Sequence, residues 1–185
     1  MAGSALVYPR SIDLACDHGT CRELANRVTQ RLRLRCPTEW DIPALVAIGS
    51  DPLTNQHSPT GPPSREESEQ TVRKAIAHWR EHGIGYWAVE HEGRIIGIAG
   101  VKAGVLHGCA IWNLYYRFTP TAWGRGFAGE AAREALVAAL ERDRSRTVVV
   151  RTRPNNAPAQ RLAQRIGMSR RRELDSDGFI TFASD

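Results

Sequence analysis

Three glycines surround one arginine at the point where an apolar pattern of helical period begins. They follow the spacing Gly124-x-Gly126-x-x-Gly129, with Arg125 between the first two. A glycine in a helix costs about 1 kcal/mol relative to alanine, so this concentration requires a reason. Glycine lets a phosphate approach the backbone, and a helix N-terminus offers free N–H groups and the positive end of its dipole. The segment is typical of a pyrophosphate-binding loop.

Two kinds of glycine motif fit this spacing, and the surrounding chain separates them. The dinucleotide fingerprint requires a strand that runs directly into its first glycine and an acidic residue after the next strand. Here residues 119–123 intervene before Gly124, and the next predicted strand, residues 147–151, ends in arginine. The sequence therefore favours a pyrophosphate loop of another kind.

The loop must be positioned by the elements on either side of it. Residues 110–118 are rich in aromatics and predict a strand, and residues 126 to about 140 carry the apolar stripe of a helix. A short buried strand follows at residues 147–151. Asn156 then opens a helix over residues 157–166, which Gly167 ends. A last hairpin is predicted to pair residues 172–174 with residues 179–182.

The first half of the chain predicts a strand, two helices and a hairpin. The alternation in residues 31–35 indicates a strand, and Pro43 restricts the first helix to a start near Asp41. Ser64 and Glu67 form a capping box for the second helix. The predicted order is β-α-α-β-β-β-α-β-α-β-β, a mixed α/β domain with antiparallel hairpins in its middle.

Composition limits the class of protein. The 185 residues carry a net charge of +5, which suits either a nucleic acid or a polyphosphate cofactor, and the arginines are scattered without an aromatic platform. No apolar run approaches the roughly 18 residues of a membrane span. Four irregularly spaced cysteines indicate reduced thiols and a cytoplasmic protein, and Cys16 and Cys21 lack the second pair of a zinc site. Residues 1–28 are predicted to be an N-terminal extension of a domain spanning residues 29–185.

Two motifs together resemble a known family. Residues 123–131, Trp-Gly-Arg-Gly-Phe-Ala-Gly-Glu-Ala, look like the acyl-CoA pyrophosphate motif of the GNAT superfamily of N-acetyltransferases. Residues 156–168, from Asn156 to Ile-Gly-Met, resemble its later helix. The closest branch includes the acetyltransferases of ribosomal-protein N-termini, and the resemblance covers about residues 29–182. It implies a GNAT fold: a mixed, mostly antiparallel sheet with helices on both faces.

The resemblance implies where acetyl-CoA binds as co-substrate, without a metal. In the family the fourth and fifth strands, here about residues 110–119 and 148–153, splay apart around it. The backbone of Arg117, Phe118 and Thr119 would pair with the pantetheine amides, and the N–H of Phe118 could polarise the thioester carbonyl. Asn156 and Arg161 are further candidate contacts to the cofactor. The pyrophosphate would lie on the loop residues Gly124, Arg125, Gly126, Phe127, Ala128 and Gly129.

The resemblance also implies the reaction, which is direct attack of a neutral primary amine on the thioester in a ternary complex. Many relatives place a Tyr in the later helix, but residues 157–168 contain none. Tyr116, Asn156 and His107 are the candidate catalytic residues instead. Asn113 stands where the branch often carries a Glu that faces the amine.

The acceptor remains open between a protein N-terminus and a small amine. Glu66, Glu67 and Glu69 could attract a cationic acceptor or simply be solvated.

The alternative function is a CoA-binding sensor or partner-docking protein with a degenerate acceptor site, which Asn113 and the missing Tyr motivate. Nucleic-acid binding is the least favoured interpretation of the positive charge. The family resemblance also implies a possible homodimer.

Overall fold

The structure, a computed structural model, describes residues 23–184, whose strands form one eight-stranded sheet. In chain order the strands are β1 (Asn26–Val28), β2 (Arg33–Arg35), β3 (Tyr86–His91), β4 (Arg94–Leu106), β5 (Cys109–Phe118), β6 (Thr147–Thr152), β7 (Ser169–Arg170) and β8 (Ile180–Ala183). The helices after β2 are α1 (Ile42–Ser50), α2 (Arg65–His82), α3 (Phe127–Arg142) and α4 (Ala157–Arg165).

The sheet order is β1-β2-β3-β4-β5-β6-β8-β7. Every neighbouring pair is antiparallel except β5 and β6, which are parallel because α3 crosses over between them. The predicted mixed, mostly antiparallel sheet is therefore confirmed.

Helices cover both faces of the sheet, as predicted. On one face, called the α3 face, Phe127, Ala131 and Ala135 of α3 pack on Trp112 and Leu114 of β5. The opposite face, called the α1–α2 face, carries a smaller cluster built from α1, α2 and the inner strands; its members are Ile42, Leu45, Val46, Val72, Ile76 and Ala88. Successive residues of β5 alternate between the two faces, so each side chain of this strand has a defined helix neighbour.

The helix ends lie where the capping residues, the glycine and the proline in the sequence predicted them. Ser64 caps α2 because its Oγ accepts the N–H of Glu67 at 3.1 Å, while Glu67 Oε2 accepts the N–H of Ser64 at 2.8 Å. Gly83 ends α2 in the left-handed conformation, at φ 63°. In α1, Pro43 lies in the first turn, where it costs no hydrogen bond.

The C-terminal hairpin differs from the prediction. Ser169–Arg170, and not residues 172–174, pair with β8, and residues 172–174 form a short 3-10 turn. The cause is Asp175, whose Oδ1 accepts the Arg170 guanidinium at 2.8 Å and the N–H of Thr181 at 2.9 Å. These bonds fold the chain back before residue 172 can extend.

Part of the predicted N-terminal extension belongs to the packed fold. Asn26–Val28 pair with β2, and Leu24 is completely buried. The carbonyl of Leu24 accepts the indole N–H of Trp87 at 2.7 Å. Cys16 and Cys21, the cysteine pair noted in the sequence, lie outside the described residues.

Between residues 23 and 184, no helix has both the length and the apolar character needed to cross a membrane.

Candidate active site

The sheet opens between β5 and β6. These strands pair only where residues 111–113 lie beside residues 147–149. β5 then continues to Phe118 and β6 to Thr152 without pairing to one another. The opening, called the gap, leaves an unpaired backbone edge that an extended, amide-bearing ligand could join as an added strand. It lies where the sequence predicted the splayed strands.

The backbone groups that face the gap can be identified from the strand alternation. The N–H of Thr119 donates to the carbonyl of Ile96 on β4 at 2.9 Å. Because neighbouring residues of a strand direct their N–H and C=O groups to opposite sides, Arg117 also faces β4, whereas Phe118 and Tyr116 face the gap. Of the three residues predicted to pair with pantetheine, only Phe118 therefore directs its N–H into the gap.

Trp123 has a role at the end of the gap that the sequence did not reveal. Its indole N–H donates to the carbonyl of Phe118 at 2.9 Å. The bond folds residues 119–123 back against the strand end and sets the direction in which the loop leaves β5. This explains why an aromatic residue with an N–H suits the position before Gly124.

The glycine loop has the backbone conformation that a phosphate cradle needs. Gly124 and Gly126 have φ values of 74° and 82°, in the left-handed region that favours glycine. α3 begins directly afterwards at Phe127. The N–H groups of Phe127 and Ala128 lie in the first turn and have no partner within the helix. Together with the helix dipole they form a site for an anion.

Gly129 has a different role from the other two glycines. It is buried, and a Cβ built on it would lie 3.3 Å from Cδ1 of Leu162 on α4. Its N–H donates to the carbonyl of Gly126 at 3.1 Å. Gly129 thus lets α4 pack closely on α3, and the part of the motif that faces a ligand is Gly124 to Ala128.

Arg31 holds the loop from outside. Its guanidinium donates to the carbonyl of Arg125 at 2.9 Å and, through Nε, to Glu130 at 2.8 Å. Glu130 also accepts the hydroxyl of Thr29 at 2.6 Å. Burial opposes the ionisation of Glu130, but the bonds from Thr29 and Arg31 outweigh it and lower its pKa. We call Thr29, Arg31 and Glu130 the loop clamp.

Two arginines lie close to the aromatic ring of Phe127. The guanidinium carbons of Arg31 and Arg125 are each 4.7 Å from the ring centroid, and the ring of His91 lies 4.5 Å away. These contacts orient Arg125 at the loop surface. The sequence offered no sign of this cluster, because Arg31 reads only as the outward position of an alternating strand.

Tyr116 and Asn156 meet at the first turn of α4. Tyr116 lies on the α3 face, with its hydroxyl 3.4 Å from the carbonyl of Ala159. Asn156 Oδ1 accepts the N–H of Ala159 at 3.2 Å, so Asn156 is a helix cap as well as a candidate site residue. Burial raises the pKa of Tyr116. The phenol is therefore protonated at neutral pH and can donate a hydrogen bond but not act as a base.

The other two predicted residues are placed less centrally. His107 is exposed in the β4–β5 turn, at the opposite end of β5 from Phe118, so the structure does not bring it together with Tyr116 and Asn156. Strand geometry puts about 30 Å between the two ends of β5. Arg161 is exposed on α4, on the helix that Asn156 caps.

The α1–α2 face carries a second set of polar groups beside the gap. Asn113 is buried at the last paired position of β5, and its amide donates to the hydroxyl of Tyr86 at 3.2 Å. The rings of Tyr86 and Tyr115 lie 5.2 Å apart. Asn113 and Tyr115 therefore face the side of the gap opposite Tyr116.

Lys102 is a partly buried amine that the sequence did not single out. It is the register partner of Asn113, and its Nζ lies 4.6 Å from the Tyr86 ring centroid. Burial, with a smaller contribution from Lys74, lowers the pKa of Lys102 to about 8. A lysine that interrupts the apolar residues of β4 is the signal that could have identified it.

A cleft lies between the α1–α2 loop and the chain that follows β6. Arg117 donates to the carbonyl of Gly49 at 2.9 Å and to Oδ1 of Asn55 at 2.8 Å, which ties the α1–α2 loop to β5. The same loop faces the chain after β6 across a cavity of about 290 Å³. Its lining residues are Gln56, His57, Ser58, Pro59, Arg153, Pro154 and Asn155. A larger cavity of about 360 Å³ lies beside the start of α1 and contains no residue of the gap strands.

Two of the three acidic residues considered for attracting a cationic acceptor have other partners. Glu67 completes the α2 capping box. Glu69 accepts Nη2 of Arg73 at 2.8 Å. Glu66 is exposed in the first turn of α2, where a negative charge favours the helix dipole. These side chains therefore fit a solvent-exposed structural role better than a role in binding the acceptor.

Comparisons with known proteins agree with the geometry. A family model described as "Acetyltransferase (GNAT) domain" matches residues 31–169. The YkkB protein of Bacillus subtilis (strain 168) is 26% identical over 144 residues, which cover 76% of this chain and 83% of that protein.

Solved structures show the same fold. An acetyltransferase from Agrobacterium tumefaciens is 23% identical, with a TM-score of 0.77 over 88% of this chain and 95% of that one. RimJ of Mycobacterium smegmatis, in complex with CoA-disulfide, is 20% identical, with a TM-score of 0.60 over 82% of this chain and 80% of that one. Because the family model spans well over half of the sequence, the chain belongs to the GNAT family of acetyltransferases.

Proposed function

We propose that the protein transfers the acetyl group of acetyl-CoA to a primary amine by direct attack in a ternary complex. The observation that carries this proposal is the gap between β5 and β6, which ends at the glycine loop. An unpaired strand edge suits the amides of pantetheine, and the helix N-terminus suits a pyrophosphate. The two features lie in the order in which these parts follow one another in CoA.

The residues around the gap suit the donor half of the reaction. The N–H of Phe118 would donate to the thioester carbonyl as negative charge develops on its oxygen. The amine nitrogen forms a bond to the carbonyl carbon, and the carbon–sulfur bond breaks. Tyr116, protonated at neutral pH, would donate a hydrogen bond to the leaving sulfur, with Asn156 fixing the α4 turn beside it.

The acceptor half is proposed to lie on the α1–α2 face. The amine loses a proton as it attacks, and this proton passes through water to the leaving thiolate, so that the products are the acetylated amine and the CoA thiol. His107 is too far along β5 to accept the proton directly. The polar groups that the structure places beside the paired end of the gap are the buried Asn113 and the partly buried Tyr86 and Lys102. Proximity and orientation of the two substrates would supply much of the rate.

A CoA-binding sensor remains the second candidate. The observation that favours it is Asn113, a buried neutral amide beside the gap. The family resemblance implies a Glu at this position. The two functions share the CoA site, and only amine-dependent turnover distinguishes them.

Calorimetric titration with acetyl-CoA tests the donor site. We expect saturable binding to the wild type and roughly 30- to 100-fold weaker binding to Gly126→Asp, because the carboxylate repels the pyrophosphate inside the cradle. Gly108→Asp is the matched control, since Gly108 has a similar φ of 79° but lies in the β4–β5 turn. Absence of binding to the wild type, or equal binding to both variants, would contradict the proposal.

A further inference from the structure

Two arginines lie on opposite sides of the gap at its open end. Arg117 is the penultimate residue of β5 and points to the α1–α2 face, and Arg153 directly follows β6. The α1–α2 loop connects them, because Asn55 bonds Arg117 while Gln56 to Pro59 share a cleft with Arg153. The loop thus spans the gap, and an acceptor in the cleft would reach its open end.

Neutral oxygens hold both guanidinium groups. Arg117 donates to the carbonyl of Gly49 and to the side-chain oxygen of Asn55. Arg153 donates to the carbonyls of Asp177 and Gly178, at 3.0 and 3.2 Å, and its guanidinium lies 3.7 Å from the ring centroid of Phe179. Carbonyl groups fix the orientation of a guanidinium without cancelling its charge.

Other arginines close to the sheet are neutralised by carboxylates. Arg35 pairs with Asp41 at 2.6 Å and with Glu90 at 2.7 Å, and Arg151 lies 3.3 Å from Asp177. Within residues 23–184, by contrast, neither Arg117 nor Arg153 has a carboxylate within 4.0 Å. The gap therefore ends in two positive charges that the described protein does not balance.

The residues that line the cleft also favour binding of an anion. Its seven lining residues include Arg153 and His57 and contain no carboxylate. A positive surrounding disfavours a protonated amine and attracts an anion. The volume of about 290 Å³ is close to the lower end for small-molecule sites, so the group recognised there is small.

We infer that the acceptor carries a carboxylate on the same molecule as its amine and that Arg153 binds this carboxylate at the cleft, with Arg117 adding positive charge on the other side of the gap. The inference rests on the proposed acetyl transfer and names its substrate class. Arginine suits the role because its planar fork matches a carboxylate in two hydrogen bonds. The carboxylate could belong to a free amino acid or to an acidic residue near a peptide N-terminus.

Acetyl transfer to matched acceptors tests the inference at saturating acetyl-CoA. One arm compares alanine with alaninamide, and a second compares C-terminally amidated peptides that begin Ala-Glu or Ala-Gln. In at least one arm, we expect the carboxylate form to have about 10-fold higher kcat/KM, equivalent to one charge-assisted contact. The arm that shows the preference identifies the source of the carboxylate.

Variants connect the preference to the arginine. Arg153→Gln should reduce the preference below about 3-fold, because it raises KM for the carboxylate acceptor more than KM for the amide. Arg153→Lys should keep part of the preference. Arg144→Gln is the matched control, because Arg144 is exposed in the turn between α3 and β6, and it should keep all of it.

Different results would contradict the carboxylate inference and the proposed acetyl transfer. Equal kcat/KM for the acid and amide in both arms, or a preference that survives Arg153→Gln, would overturn the carboxylate inference while leaving acetyl transfer intact. Acetyl-CoA binding without transfer to any amine would overturn the inference together with the proposed function.

Discussion

At the scale of single residues, burial changes the proton affinity of two side chains on opposite faces of the sheet. It raises the pKa of Tyr116, which keeps the phenol protonated beside α4. It lowers the pKa of Lys102 to about 8, because the charged amine loses water while Lys74 adds repulsion. The groups facing Lys102 are the Tyr86 ring and, on α2, Lys74 and His78, so no negative charge among these compensates its burial.

Lys102→Met should stabilise the protein at neutral pH. Below pH 8 the folded wild type holds a charged, partly buried amine, and a thioether of similar length removes the cost of its desolvation, about 1–3 kcal/mol. Between pH 8 and about 10.4 the unfolded chain binds more protons than the folded one, so wild-type stability rises with pH. The advantage of Met should therefore be largest at pH 7 and nearly vanish at pH 10 in thermal unfolding.

Lys74→Met is the companion variant, because Lys74 is exposed on α2 and its removal relieves only the smaller, repulsive contribution to the Lys102 pKa shift. It should change the unfolding temperature only slightly at either pH. A Lys102→Met variant that is less stable than wild type at pH 7 would show that the buried amine has a compensating partner.

At the scale of elements, the site depends on the contact between the β1–β2 turn and the start of α3. The loop clamp joins them through Thr29, Arg31 and Glu130, and Arg31 also holds the carbonyl of Arg125 inside the glycine loop. The N–H groups that would receive the pyrophosphate are therefore oriented by a part of the chain far from the loop in sequence.

Arg31→Gln should weaken acetyl-CoA binding about 10-fold, because it removes a positive charge and the bond to the Arg125 carbonyl. The measurement is the calorimetric Kd. Arg33→Gln provides the control, since Arg33 lies two residues along the chain, is exposed and pairs with Glu90 on the other side of β2. Equal affinity of the two variants would show that the clamp does not preorganise the loop.

Local pattern determined how much of these elements could be predicted. The α2 cap and the glycine entry to α3 depend on residues within a few positions of each other, so both were readable from the sequence. The loop clamp could not be predicted from the sequence, because 99 residues separate Arg31 from Glu130. The contact between Arg117 and Asn55 was missed for the same reason, since 62 residues separate them. Alternation placed Tyr115 and Tyr116 on opposite faces, but only the packed helices show which helix each one meets.

At the scale of the whole molecule, the fold includes residues that the sequence pattern left outside it. β1 has only three residues and no sustained period, so nothing in its pattern distinguished it from an extension. Leu24 nevertheless lies in the main core, and its carbonyl holds Trp87. Arginines that contribute to the positive charge of the chain lie at the glycine loop, on α4 and at the cleft.

Leu24→Ala should cost about 2–4 kcal/mol of unfolding free energy, the usual range for a leucine removed from a core. For a protein of this size the unfolding temperature should fall by roughly 5–15 °C. Val28→Ala is the control because that side chain is 77% exposed, and it should shift the temperature by less than about 2 °C. Similar small shifts for both would place the start of the stable domain after residue 28.

The most direct test of the proposed activity is amine-dependent release of CoA thiol, measured together with the acetylated product by mass spectrometry. Wild type and Gly108→Asp should give equal amounts of thiol and acetyl-amine with at least one carboxylate-bearing amine, whereas Gly126→Asp should lose nearly all turnover at low acetyl-CoA. Saturable binding of acetyl-CoA without product from any amine would contradict the account and leave a CoA-binding sensor as the function.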